Sequence, residues 1–223
     1  MTTSTTPHSP ARISVLASGG GSNLHALIDH FAGAAASVGV ITFVASDSES
    51  AGALDRARAA GIATGVLDAP LDSDAVLSLL DTAKTDVLVL AGYLKLVPAG
   101  VVHAFRGRIL NVHPALLPSF GGPGMYGRRI HEAVLAHGVT LTGVTVHFVD
   151  EHFDRGPIIA QWPVPVLPGD DVALLAARVL RAEHRLLPLC VAAVASGAIV
   201  LGEDGRVHGH LDFPADVAQF FSR

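Results

Sequence analysis

The 223-residue chain is poor in several residue types, and each shortage excludes a class of protein. Its single cysteine, Cys190, cannot form a disulfide within the chain, which fits a reducing compartment. The 15 Lys and Arg residues are outnumbered by 20 Asp and Glu, and no basic block stands out. The net charge of −5 therefore argues against a general nucleic-acid binder. No uninterrupted apolar run reaches the roughly 18 residues of a membrane span.

The beginning of the chain also lacks an apolar segment. Residues 1–10 are polar, so we expect a flexible N-terminus and no secretory signal. Half of all residues are hydrophobic and only 16% are charged, which is enough apolar material for a sizeable core. We expect a cytoplasmic globular protein with one large α/β domain or two small ones.

Short apolar runs alternate with helical patterns along the first half of the chain. Strands are predicted at 13–17, 38–45, 64–67, 86–91 and 108–111, and helices at 23–31, 51–60, 72–83 and 98–105. This alternation predicts an α/β fold with a doubly wound, mostly parallel sheet. The second half predicts an antiparallel C-terminal extension, made of helices at 127–137 and 170–195, strands at 140–148 and 158–166, and a hairpin at 198–210.

The most informative stretch is residues 111–118, Asn-Val-His-Pro-Ala-Leu-Leu-Pro. Asn111 and His113 fall at or just past a strand end, and residues two apart on an extended segment point to the same side. Pro114 and Pro118 are expected to hold the following chain extended and to prevent a helix or central strand. An amide donor for an oxyanion beside a titratable imidazole suits acyl-type transfer. Taken alone, Asn-x-His could equally be a turn-forming pair.

A carboxylate and a second histidine favour the catalytic interpretation. Asp154 lies in a polar turn between two predicted strands, where the local backbone can aim it back at the sheet edge. A carboxylate beside an imidazole orients the ring and allows the pair to transfer protons. His147 lies on the preceding strand and either faces the same pocket or is an ordinary strand histidine. His208 and His210 have only a weak metal-ligand spacing, and we predict no metal site.

A glycine-rich loop follows the first predicted strand at residues 18–23, Ser-Gly-Gly-Gly-Ser-Asn. Glycines let the backbone approach a ligand, and a helix that begins at Ser22 and Asn23 offers free N–H groups to a phosphate. Leu24 stands where a dinucleotide motif has glycine, and the P-loop lysine is absent, so a monophosphate is favoured. The alternative is a tight turn with a Ser or Asn cap.

A second loop at the same edge is apolar. Residues 90–97, Leu-Ala-Gly-Tyr-Leu-Lys-Leu-Val, follow a central strand. They are either plain core or a surface that grips a flat heteroaromatic ring while backbone groups hydrogen-bond its edge.

Four segments then stand in a familiar order, at 18–23, 90–94, 111–118 and 146–157. From about residue 11 to residue 205 the chain resembles the folate-dependent phosphoribosylglycinamide (glycinamide ribonucleotide) formyltransferases of de novo purine synthesis. The resemblance implies a Rossmann-like formyltransferase fold and formyl transfer from 10-formyltetrahydrofolate to the amine of glycinamide ribonucleotide, with no metal. It divides the chain into a phosphate-binding half (11–110), a catalytic and folate-binding half (111–205) and a tail (206–223).

The resemblance also implies roles for particular residues. The catalytic trio falls on Asn111, His113 and Asp154. The ribonucleotide phosphate falls on Gly21, Ser22 and Asn23, with Glu183 near the ribose. The folate pocket falls on Leu94, Lys95, Leu96 and Val97, with Asp150 and Asp154 from the turn.

The chain departs from the family pattern at two places, and other functions compete with this one. Leu180 stands where the family often has Gln, one turn before Glu183, and the loop 121–127 also differs. Formyltetrahydrofolate deformylase carries an N-terminal regulatory domain and His in place of Pro114, and methionyl-tRNA formyltransferase carries a larger C-terminal RNA-binding domain. A non-catalytic nucleotide-binding module would need only the glycine loop. The exposed strands of the second half could support a homodimer.

Overall fold

A seven-stranded sheet organises the protein, whose computed structural model describes residues 9–67, 71–211 and 213. The strand order is β3-β2-β1-β4-β5-β6-β7, and a separate hairpin pairs β8 with β9. The strands are β1 (Ala11–Leu16), β2 (Gly39–Ser46), β3 (Ala63–Val66), β4 (Val87–Leu90), β5 (Ile109–His113), β6 (Leu141–Phe148), β7 (Ile158–Pro165), β8 (Ile199–Leu201) and β9 (Val207–Gly209).

The helices lie between these strands and cover both faces of the sheet. They are α1 (Ser22–Ala32), α2 (Gly52–Ala59), α3 (Ser73–Thr82), α4 (Ala99–Ala104), α5 (Arg128–Ala136) and α6 (Val172–Ala195). Buried residues of α1, α2, α5 and α6 belong to one hydrophobic cluster, and those of α3 and α4 to another. None of the helices within the described ranges is long and apolar enough to cross a membrane.

The pairing confirms the predicted α/β architecture. Strands β1 to β5 pair in parallel, whereas β6 pairs antiparallel with both β5 and β7. All four residues of β4 are buried, as expected for a central strand covered by helices on both faces. The predicted tail at 206–223 includes strand β9, and its residues 212 and 214–223 lie outside the described residues.

Side-chain caps explain where two of the helices begin. Asp72 accepts a hydrogen bond from the Ala75 N–H at 3.2 Å, and Asp171 accepts one from the Leu174 N–H at 2.8 Å. Each carboxylate satisfies a backbone donor that the first helical turn leaves free.

The register of the parallel strands places the predicted site at one edge of the sheet. Leu16 is paired with Leu90, and Leu90 with Asn111, so β1, β4 and β5 end side by side. Ligands bind at such carboxyl edges in open α/β sheets. The strand continues to His113, two residues beyond the predicted end at Asn111, and residues 117–120 form a turn rather than running extended.

Candidate active site

A cavity of about 760 Å³ opens at this carboxyl edge. Its walls come from the loop after β4, the end of β5, the loop before α5, the turn after β6 and one face of α6. Most of the predicted catalytic and folate-site residues line it, together with Glu183: Leu94, Lys95, Leu96, Val97, Asn111, His113 and Asp154. Asp150 is not among the lining residues, and its carboxylate instead accepts a hydrogen bond from the His152 N–H at 2.9 Å.

The three predicted catalytic side chains converge in this cavity. His113 is 3% exposed, and its Nδ1 lies 3.5 Å from Oδ1 of Asp154. The amide nitrogen of Asn111 donates to the same carboxylate oxygen over 3.4 Å. The other ring nitrogen of His113, Nε2, lies 2.9 Å from the carbonyl oxygen of Phe120. Asn111 and His113 thus share one side of β5, as their spacing predicts.

Asp154 is held in its ionised form by its neighbours. Burial alone would raise its pKa, but contacts from the side chains of His113 and His147 lower it. The charge of His113 and a 2.9 Å hydrogen bond from the Gly122 N–H to Oδ2 act in the same direction. The net result is a pKa well below the usual range of an aspartate, so the carboxylate stays charged at neutral pH.

His147, whose position the sequence leaves open, faces the cavity. It is 2% exposed and lines the same wall as Asn111. Its Nδ1 lies 2.7 Å from the carbonyl oxygen of Phe148, and its Nε2 lies 3.2 Å from the amide nitrogen of Asn111. The ring is therefore fixed at both nitrogens.

The glycine loop lies beside the cavity, and its glycines serve different purposes. Gly21 has a φ of 73°, and a Cβ there would come within 2.7 Å of the Ala53 backbone, so glycine is required by the packing of α2. The sequence assigns all three glycines to ligand approach, and for Gly21 the structure adds a packing reason. A Cβ at Gly19 or Gly20 would meet nothing within 4 Å, so these two leave open space.

Helix α1 begins at this loop without a side-chain cap. Gly21 is the N-cap residue, so the Ser or Asn cap of the alternative interpretation is not formed. Residues of α2 hold the loop in place. Gly19 O accepts a hydrogen bond from the Ala53 N–H at 3.0 Å, and Gly20 O accepts one from Nε of Arg56 at 2.7 Å. Uncapped N–H groups at a helix N-terminus suit an anion.

Glu183 connects the glycine loop to the cavity. It is 8% exposed and lies on the cavity face of α6. Burial raises its pKa, while the Asn23 hydrogen bond and the charge of His113 partly oppose that rise. The amide nitrogen of Asn23 donates to Oε2 at 2.6 Å, and Oδ1 of Asn23 is buried without a hydrogen-bond partner.

The loop after β4 presents apolar side chains to the cavity. Leu94 and Leu96 are 50% and 44% exposed, which is unusual for large apolar residues lining one pocket. The backbone N–H of Leu94 donates to the Ser18 hydroxyl at 3.1 Å, and Lys95 pairs with Asp47 at 3.2 Å. Asp47 was missed by sequence analysis, although its position directly after β2 places it at this edge.

His131 is a second residue that sequence analysis missed. It is 5% exposed in α5, it lines the cavity, and its Nδ1 has no hydrogen-bond partner. Burial and the charge of His113 lower its pKa, which favours the neutral ring. No helix-face pattern singles out this residue in the sequence.

No metal centre is assembled within the part of the chain that the structure describes. Groups of three or more His, Cys, Asp or Glu side chains that could hold an ion are absent there. His208, one half of the weak metal-ligand pair, instead contacts Asp204 at 3.0 Å on the hairpin.

The fold and this site define a class: a doubly wound α/β protein with an imidazole, a carboxylate and a carboxamide at the sheet edge beside an uncapped helix N-terminus. Residues 11–191 match the formyl transferase family, and the chain belongs to it.

Relatives of the chain carry more specific names than the family does. Phosphoribosylglycinamide formyltransferase of Mycobacterium tuberculosis is 40% identical over 200 residues, which cover 88% of this chain and 91% of that protein. The trifunctional purine biosynthetic protein adenosine-3 of Bos taurus is 44% identical over 88% of this chain, which spans only 20% of that longer protein. The solved structure of phosphoribosylglycinamide formyltransferase from Anaplasma phagocytophilum has a TM-score of 0.82 at 38% identity, covering 91% of this chain and 95% of that one.

Proposed function

We propose that the chain transfers the formyl group of 10-formyltetrahydrofolate to the amine of glycinamide ribonucleotide. The products are formylglycinamide ribonucleotide and tetrahydrofolate. One observation carries the proposal: His113, Asp154 and Asn111 meet in a cavity that exposed leucines line and that an anion-type loop adjoins. The reaction needs a site for a phosphorylated amine, a site for a flat ring, and acid–base groups between them.

The ribonucleotide is expected to bind at the glycine loop. Its phosphate accepts hydrogen bonds from the N–H groups of Gly21, Ser22 and Asn23 in the open space beside Gly19 and Gly20. Glu183 accepts hydrogen bonds from the ribose, because it lies on the cavity wall next to Asn23. This anchoring directs the glycinamide amine toward His113 and raises its effective concentration there.

The folate donor is expected to bind at the apolar loop. Leu94 and Leu96 offer exposed side chains to a flat ring, Val97 provides buried support, and the backbone of Lys95 and of the 150–154 turn supplies hydrogen bonds. This arrangement brings the formyl group between the ring and the end of β5.

The chemistry then follows from His113 and Asp154. The amine lone pair forms a bond to the formyl carbon, and the carbonyl electron pair moves to oxygen. Both nitrogens of His113 face acceptors, Phe120 O and Asp154 Oδ1, so the site accommodates the imidazolium form. We expect the formyl oxygen to replace Phe120 O as the acceptor of the Nε2 hydrogen and to be stabilised as an oxyanion. Asp154 orients His113 and helps to move the proton from the amine, through water, to the folate nitrogen. The oxyanion then re-forms the carbonyl, and the bond between the formyl carbon and the folate nitrogen breaks to release tetrahydrofolate.

The division of the chain into a phosphate-binding half at 11–110, a catalytic half at 111–205 and a tail at 206–223 belongs to the same proposal. The proposal also includes a cytoplasmic location and small-molecule partners. It includes neither a nucleic acid nor a membrane as a partner. The homodimer is proposed through the exposed strands of the second half, where β7 forms the edge of the sheet.

A single assay tests the activity against its two enzymatic alternatives. The protein is incubated with 10-formyltetrahydrofolate alone, with added glycinamide ribonucleotide, and with added methionyl-tRNA, while tetrahydrofolate and formate are measured. We expect little formate from the donor alone and rapid tetrahydrofolate formation only with the ribonucleotide. Rapid formate release that the ribonucleotide does not redirect would identify a deformylase, and turnover only with the tRNA would identify the other transferase. Ligand binding without turnover would indicate a binding module.

A further inference from the structure

We propose that Thr145 and Gln161 are positioning residues, whose hydrogen bonds fix the chain at residues 115–117 and thereby hold Phe120 and Gly122 against the catalytic pair. The side chains of Thr145 and Gln161 are together called the clamp. Neither is among the residues that line the cavity, so each acts through the segment that it holds. The inference rests on the proposed function for its catalytic meaning but not for its geometry.

The clamp lies in line with His113 across three neighbouring strands. Thr145 of β6 is the register partner of His113 in β5 and of Gln161 in β7. Register partners on neighbouring strands point to the same side of a sheet, so these three side chains form one row. Thr145 is fully buried, whereas Gln161 is partly buried on the strand that forms the edge of the sheet.

Two side chains satisfy three backbone groups of the segment that follows Pro114. The Thr145 hydroxyl donates to Ala115 O at 2.7 Å and accepts from the Leu117 N–H at 3.0 Å. The amide nitrogen of Gln161 donates to Leu117 O at 2.9 Å and to the Thr145 hydroxyl at 3.0 Å. A carbonyl oxygen can only accept, so Leu117 O requires the nitrogen end of the Gln161 amide. These bonds use both hydrogens of that nitrogen and the full bonding capacity of the hydroxyl.

A short turn connects the clamped segment to the catalytic imidazole. The Ser119 N–H donates to Leu116 O at 3.1 Å, so the turn closes directly after the clamped residues. The next residue, Phe120, places its carbonyl oxygen 2.9 Å from Nε2 of His113. A displacement of the clamped segment would therefore move a group that contacts the imidazole.

The same turn also contacts the catalytic carboxylate. The Gly122 N–H donates to Oδ2 of Asp154 at 2.9 Å. A Cβ at Gly121 would overlap the Leu117 side chain and would lie 3.2 Å from Cβ of Asp154. Leu117 thus connects the clamp to Asp154 by packing as well as through the backbone. Because catalytic groups must be held close to their productive geometry, we expect turnover to fall when the clamp is lost.

Hydrogen exchange tests the geometry without any reference to activity. The exchange rates of the Leu117 and Gly122 amides are measured by NMR in the unchanged protein, in Thr145→Val and in Gln161→Met. We expect both amides to exchange about tenfold faster or more in Thr145→Val, and by a smaller factor in Gln161→Met, which keeps the hydroxyl. Amides of β1 and β4 should keep their rates. An unchanged rate at Gly122, or an equal acceleration throughout the sheet, would overturn the proposal.

Three threonine variants test the consequence for catalysis. Thr145→Val removes the hydroxyl at nearly constant volume, and Thr145→Ser keeps it. Thr142→Val is the matched control, because Thr142 lies on the same strand, is 1% exposed, and has a hydroxyl without a hydrogen-bond partner among the described residues. We expect kcat to fall about tenfold or more in Thr145→Val, to stay within about threefold in Thr145→Ser, and to be unchanged in Thr142→Val. Equal kcat in the two valine variants, or equal losses in Thr145→Val and Thr145→Ser, would contradict the positioning role.

Thermal unfolding of these variants separates positioning from stability, since a purely structural role would lower the melting temperature and leave kcat of the folded fraction unchanged. If the protein proved to lack formyl transfer altogether, exchange at Gly122 would still decide whether the clamp reaches the catalytic pair. Failure of the inference and failure of the proposed function are therefore distinguishable.

Discussion

The amide nitrogen of Asn23 donates a 2.6 Å hydrogen bond to the Glu183 carboxylate, although the two residues are 160 positions apart in the chain. Asn23 lies in the first turn of α1, beside the glycine loop, and Glu183 lies on the cavity face of α6. The bond joins the proposed phosphate site to the proposed catalytic site. Four predictions concern these two sites and α6, the helix that carries Glu183.

The first prediction concerns the catalytic pair. His113→Ala and Asp154→Asn should each lower kcat by about 10²-fold or more, because each removes an acid–base or charge-stabilising contact. The double variant should lose far less than the product of the two, since Asp154 acts through His113. Steady-state kinetics on folded protein measures this. Fully multiplicative losses would show that the two residues act independently.

The second prediction compares two neighbouring glycines. Gly20→Val should weaken ribonucleotide binding while leaving folate binding and stability nearly unchanged, because its side chain enters the open space proposed for the phosphate. Gly21→Ala should instead lower the free energy of unfolding by at least about 1 kcal/mol, because of its positive φ and the nearby Ala53. Separate titrations of each ligand and urea unfolding check both. Unchanged ribonucleotide affinity in Gly20→Val would show that the phosphate does not bind at this loop.

The third prediction concerns the position where the chain departs from the family pattern. Leu180 lines the cavity one turn before Glu183. Leu180→Gln should add one hydrogen bond to the ribonucleotide and tighten its binding by roughly two- to tenfold, the range of a single net hydrogen bond. Leu180→Met is the matched control, because it keeps an apolar side chain of similar size. Calorimetric titration that gives the same affinity for both variants would place Leu180 away from the ligand.

The fourth prediction concerns the stability of α6 at low pH. Arg178 pairs with both oxygens of Asp170, at 2.5 and 2.7 Å, and Asp170 also accepts from the Leu167 N–H at 2.7 Å. The Arg178 side chain, followed by that backbone contact, lowers the pKa of Asp170 to about 2. The folded pKa lies below the unfolded value of about 3.9, so the stabilisation is present above pH 4 and is lost as the pH falls toward 2.

Asp170→Asn provides the measurement. At pH 7 its melting temperature should lie below that of the unchanged protein, and the gap should narrow steadily below about pH 4. Thermal unfolding followed by circular dichroism at several pH values is sufficient. A gap that stayed constant down to pH 3 would mean that the ion pair does not carry the difference.

Most of the fold could be predicted because it depends on local patterns. The apolar run of β4 predicts a buried central strand, and Asp72 predicts the start of α3, because both effects act within a few residues. The turn at residues 117–120 could not be predicted from Pro114 and Pro118. Proline restricts its own φ and its neighbour, but the path of the following chain depends on what it packs against.

The sequence by itself determined the order of strands and helices, the shared side of Asn111 and His113, and the resemblance that relates the chain to its family. These depend on the spacing of residues along one segment, because the period of the backbone fixes the direction in which each side chain points. Only the tertiary structure decided that His147 faces the cavity, that Gly21 is required by Ala53, and that the Asn111 side chain lies within hydrogen-bond distance of both His147 and Asp154. Each of these is a contact between residues far apart in the chain. Spacing along one segment cannot predict such contacts, because they depend on how distant strands and helices pack together.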